Sequence, residues 1–242
     1  MSANAYSSHY VGYDMNMIGL GNNMYRIRLK CYRDVTGAGF PGTETLSIYR
    51  NGDNALIQNI SLPRVQQFNI TYDPKDCPPP GADLKLEMHI YESAPVNLSA
   101  LNAAAGYYLA GGTCCRNPGV TNVLNSSSAG ILFTMEFPRL NTASPYVNNS
   151  SPEFKKAPLA FYCVGKPYTL DWEVSDANGD SLVFSLAQPL DDGIVKPHNL
   201  IEWAPCYNLA YNILDGVPDL TINPRTGIIN FIPTRTGRYL VA

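Results

Sequence analysis

Ser175-Asp-Ala-Asn-Gly-Asp-Ser-Leu-Val-Phe-Ser-Leu186 sets an acidic turn between two runs in which apolar residues take every second place. Before the turn, Tyr168, Leu170, Trp172 and Val174 alternate with Thr169, Asp171 and Glu173. After it, Leu182, Phe184 and Leu186 alternate with Val183 and Ser185. Side chains two apart on a strand share a face, so this spacing predicts a hairpin with one buried side. Asn178-Gly179 is the pair that tolerates the positive φ of a tight hairpin turn.

Working outward, the whole chain has the composition of short strands. Its 242 residues are 45% hydrophobic and only 15% charged, with 19 Gly and 19 Pro. Low charge and abundant turn formers suit an all-β fold, and no apolar helical period is sustained over three turns. A net charge of -3 gives no basis for nucleic-acid binding, which needs clustered Lys and Arg. No apolar run reaches the roughly 20 residues of a membrane-spanning helix. The six cysteines, Cys31, Cys77, Cys114, Cys115, Cys163 and Cys206, are dispersed rather than spaced as a metal site. Their even number in strand-rich sequence points to disulfides and an extracellular location, with a signal peptide absent from this chain.

Taken in order, residues 1–8 read as a flexible arm. Tyr25, Ile27, Leu29 and Cys31 then alternate with Arg26, Arg28 and Lys30, a strand whose basic face is expected to be solvated. Asn51-Gly52 is a second hairpin-type turn. Leu84, Leu86, Met88 and Ile90 against Lys85, Glu87 and His89 form the cleanest alternation, which puts His89 on the polar face. Ile131, Phe133, Met135 and Phe137 give another strand. Asn141 to Pro158, rich in Asn, Ser and Pro, is the expected linker. The expected organisation is two tandem Ig-like or cadherin-like β-sandwich domains, residues 9–140 and 159–242, joined by residues 141–158, with the last strand truncated.

Two sets of motifs carry resemblances. Asp176-Ala-Asn-Gly-Asp-Ser-Leu182, Leu220-Thr-Ile-Asn-Pro-Arg-Thr-Gly-Ile228 and Pro233-Thr-Arg-Thr-Gly-Arg-Tyr239 follow one another as in the cadherin-like and immunoglobulin-like modules of bacterial surface proteins. His9-Tyr-Val-Gly, Tyr25 to Asp34, Cys114-Cys-Arg-Asn117, Asn149 to Phe154, Cys163 to Tyr168 and Trp203-Ala-Pro205 also occur in order. That order is similar to the N-terminal region of very large Bacteroidetes surface proteins associated with gliding motility and type IX secretion. Val35 and Ala187 depart from it, standing where cysteines are expected. The resemblance implies a secreted unit of a longer cell-surface protein, with the other domains of that protein as its partners.

Three groups are candidate sites. Asp171, Glu173, Asp176, Asn178 and Asp180 lie within ten residues and could supply several of the six to eight oxygens that calcium takes. The competing reading is a solvated turn whose side chains cap their own backbone. Trp203, Tyr207 and Tyr211 could form an aromatic platform for surface glycans or a partner protein, or pack between domains. Cys77 is expected to pair with either Cys114 or Cys115, since adjacent cysteines on extended chain point to opposite faces. Asp191-Asp192 offers paired carboxylates, but no His, Ser or Cys set converges on them as hydrolysis would need. The function expected is a non-enzymatic building unit of a cell-surface adhesin, for attachment or gliding motility. The alternatives are a carbohydrate-binding accessory module of a secreted enzyme, or a self-associating, filament-forming subunit.

Overall fold

The computed structural model describes residues 10–35, 37, 39–70, 85–141, 144–157, 161–209, 213–214 and 220–242. They form an all-β fold without a helix. Eight strands make one sheet: β1 (Tyr10–Gly21), β2 (Met24–Asp34), β3 (Thr43–Arg50), β4 (Leu56–Ile70), β5 (Leu86–Glu92), β6 (Val96–Asn97), β7 (Tyr107–Cys114) and β8 (Gly130–Phe137). The order is β1-β2-β5-β4-β3-β7-β8, with β6 beside β2. The two end strands meet where Tyr13 sets its ring edge against Phe133 at 4.9 Å, so the sheet is nearly closed and barrel-like. No helix among the described residues is long and apolar enough to cross a membrane.

The Asn51-Gly52 turn joins β3 to β4 as its sequence predicts, with Gly52 at φ 99°. For most of its length, before Phe68 and Ile70, β4 is a strand that hydrophobic alternation does not announce. It pairs with β3 through Pro63, then crosses to β5 from Arg64 onward. Proline has no N–H to give a ladder, so the change of partner falls where a donor is already missing. β7 is equally silent in sequence because Gly111 and Gly112 interrupt it. A Cβ on Gly111 would lie 2.8 Å from Thr45 O and 2.6 Å from Leu46 Cδ2, so β3 and β7 pack this closely only around glycine.

The inward face of β2 is as expected: Tyr25, Ile27, Leu29 and Cys31 have no exposed surface. On β5 Leu86 is buried as expected, but the assignment fails at His89. Cys31 lies opposite His89, and Leu29 opposite Tyr91, so His89 and Tyr91 share the core face. His89 is therefore buried rather than solvated. Arg64 donates to its Nδ1 at 3.2 Å, which leaves the proton on Nε2 to bond Glu87 at 3.1 Å. Arg33 holds the same Glu87 carboxylate at 3.0 Å. A charged and aromatic surround satisfies the imidazole, so alternation by residue type alone misjudged the face.

Beyond the sheet, β9 (Glu153–Phe154) pairs with β11 (Val174–Ser175), and β10 (Tyr168–Leu170), β13 (Ile229–Phe231) and β12 (Thr221–Ile222) form a small sheet in that order. The hairpin expected around Ser175 to Leu186 is not formed, because its first arm divides between these two sheets. Its second arm keeps the in-and-out pattern without a ladder: Leu182, Phe184 and Leu186 are half-buried, while Val183 is 85% exposed. Phe184 instead bonds to Pro224 O and lays its ring over Gly227, where an added Cβ would come within 2.8 Å.

Candidate functional site

The segment expected to be a linker is bonded along both of its sides. Residues 148–154 run along the edge of β1 that β8 does not cover. Ser151 N–H donates to Met17 O at 2.8 Å, and the Ser151 and Ser150 hydroxyls accept from Met17 N and Gly19 N at 2.9 and 3.0 Å. Asn148 accepts from Asn23 N and donates its own N–H to the Tyr25 hydroxyl at 2.7 Å. Open sheet edges expose unpaired donors, and serine and asparagine side chains here terminate them. The segment crosses Gly19 so closely that a Cβ there would collide with Asn148 O.

Its other side meets the acidic turn. Ser150 N–H donates to Asn178 Oδ1 at 2.8 Å and Asn149 Nδ2 to Asp180 Oδ2 at 2.7 Å. Asp176 Oδ1 accepts from the backbone of Asn178 and Asp180, and Asp171 Oδ1 from Glu173 N. Glu173 pairs with Lys156. Of the five residues considered for calcium, Asp176 caps its own turn, Asn178 and Asp180 hold the crossing segment, and Asp171 and Glu173 bond the Glu173 backbone and Lys156. Among the described residues no three His, Cys, Asp or Glu side chains gather as a metal site. Phe154 sets its edge against Trp172 at 5.6 Å and completes the junction.

The basic face of β2, expected in solvent, lies under this segment. Lys30 is buried, with Nζ 3.3 Å from Asp14 Oδ2, 3.2 Å from Glu153 Oε1 and 3.0 Å from Phe154 O. Arg28 reaches Glu92 at 2.7 Å and Glu153 at 3.3 Å. Burial pushes the Asp14 carboxyl above its ordinary range against the pull of Lys30. Lys155 and Lys30 together hold Glu153 below the usual range, outweighing its burial.

A second junction, invisible in the sequence, centres on Asn122, which has no exposed surface. Its Nδ2 donates to Ile213 O and Leu240 O at 3.1 and 2.9 Å, and its Oδ1 accepts from Leu240 N at 2.9 Å. Beside it Val123 bridges Trp203, and Leu124 N–H donates to Glu202 O. Trp203 is half-buried in this seam, with its indole N–H enclosed and without an acceptor among the described residues. Tyr207 packs on Tyr239 at 6.2 Å rather than beside Trp203 in a shared open face, and Tyr211 lies outside the described residues.

Cys114 is joined to Cys115, and Cys77, the partner expected for one of them, lies outside the described residues. Next to this pair Arg116 is buried, which lowers its pKa to about 10, and Nη2 donates to Leu190 O at 2.9 Å. Asp191 takes the Gly130 N–H, and Asp192 takes the Asn199 side-chain amide. Open clefts of about 300 and 390 Å³ flank these contacts. Comparison with family models, curated proteins and solved structures returned no match.

Proposed function

We propose that the chain is a non-enzymatic building unit of a large bacterial cell-surface adhesin, used for attachment or gliding and joined to further domains of the same polypeptide. The observation that carries this reading is the segment 148–154, bonded on one side to the β1 edge and on the other to the acidic turn. A protein that transmits force needs its successive units coupled, and short hydrogen bonds spread along a chain segment resist separation together. The order of the Cys-Cys-Arg-Asn and Asp-x-x-Gly-Asp-Ser-Leu motifs supports the same reading. In this proposal residues 159–242 are the cadherin-like module, with the Asn223 to Gly227 turn as its characteristic hairpin.

Antibody against the purified chain tests it. Intact cells of the source organism should be labelled, and deleting the coding segment should reduce attachment under flow. Labelling only after permeabilisation, or unchanged attachment, would overturn the proposal.

A further inference from the structure

We propose that Lys30 and Asp14 become joined by an amide bond between Nζ and the Asp14 side-chain carbon, with Glu153 as the proton acceptor, cross-linking β1 to β2. The two residues sit directly opposite each other in the antiparallel register. Their side chains are 11% and 9% exposed, and Nζ lies 3.3 Å from Oδ2. That oxygen is buried and has no other hydrogen-bond partner among the described residues, so it faces the Lys30 amine alone. Glu153 Oε1 is 3.2 Å from the same Nζ, and Phe154 O orients the amine from 3.0 Å.

The geometry places the groups for the step, although Lys155 and Lys30 make Glu153 a weaker base than an ordinary carboxylate. Burial favours the neutral Asp14 carboxyl, which is the electrophilic form. The Lys30 ammonium gives one proton to the Glu153 carboxylate, and the free amine attacks Asp14 Cγ. The nitrogen then loses a second proton to the departing hydroxyl, the C–O bond breaks, and water leaves. Glu153 ends protonated and returns its proton to solvent. Nothing is oxidised or reduced, and no co-reactant is needed. Fixed proximity replaces a bimolecular encounter, and the crossing segment excludes the water that would reverse the bond.

The inference is independent of the proposed role in adhesion, because its test reads the purified chain. After complete reduction, intact-mass spectrometry should find the full chain lighter than its sequence by one water. Digestion should yield a branched peptide joining the Asp14 and Lys30 segments. Asp14→Ala should restore the full mass, and so should Glu153→Gln, which retains both reacting groups. If either variant fails to fold, the mass of the unaltered protein still decides. A folded, unaltered protein at full mass overturns the proposal, as does a water loss mapped to any other pair.

Discussion

In the barrel-like sheet Tyr25, Ile27, Leu29, Leu46, Ile48, Leu62, Tyr91 and Leu109 have no exposed surface, and the strands run to fifteen residues in β4. Beyond residue 161 the strands are two or three residues long. Among the described hydrophobic residues there, only Ile201, Ile213, Leu214, Leu220, Ile229 and Phe231 are buried. The first region is held by continuous ladders over a closed core. The second is held by caps, turns and contacts with the first, such as Asn122 to Leu240 and Ser150 to Asn178. A region built this way is stabilised by its neighbour, so local opening should begin there.

Core truncation should separate the two regions most widely. Leu29→Ala should cost about 2–5 kcal/mol in chemical denaturation, the range for emptying a closed core. Leu186→Ala, at a half-buried site, should cost well under half of that; equal losses would mean the regions share one kind of core. Next comes the crossing segment. Gly19→Ala places a methyl against Asn148 O and should cost roughly 1–3 kcal/mol. Hydrogen exchange should accelerate at the Met17 and Gly19 amides and in the acidic turn, while Leu109 stays protected.

Removing one hydroxyl, in Ser151→Ala, should cost about 1 kcal/mol and expose the Met17 amide alone. A pH effect isolates the sheet region. Burial, ahead of the opposing pull of Glu87, lowers the His89 pKa in the fold. The unfolded chain therefore binds the proton more readily, so this stability is present above the ordinary histidine value of about 6.5 and is lost as pH falls below it. Melting temperatures between pH 7.5 and 5.5 should decline, and His89→Gln should flatten the decline. The smallest effect is expected at Val183, 85% exposed: Val183→Ser should stay within about 0.5 kcal/mol. A larger loss would show that the outward face of 182–186 is covered.

Legibility differed element by element. The inward face of β2 was readable because four apolar residues alternate without interruption. The Asn51-Gly52 turn was readable because positive φ restricts the residue types that fit. β7 was not, since glycines chosen for close approach of strands carry no hydrophobic signal. The acidic turn was located as a cluster of oxygens, but its partners, Asn149 and Ser150, were not legible. Asn122 gave no sign at all, because an asparagine that bonds three distant backbone groups looks like any loop asparagine.

Local spacing alone determined that this chain is built of strands, where its tightest turns fall and which side of β2 faces inward, because period-2 patterning and turn stereochemistry act over a few residues. Only the tertiary structure decided which strands pair, that His89 and Lys30 are buried, and that residues 148–154 close a sheet edge. Those outcomes depend on partners distant in sequence, 25 residues away for Arg64 on His89 and 124 for Phe154 on Lys30, chosen by the summed packing and hydrogen bonding of the whole fold.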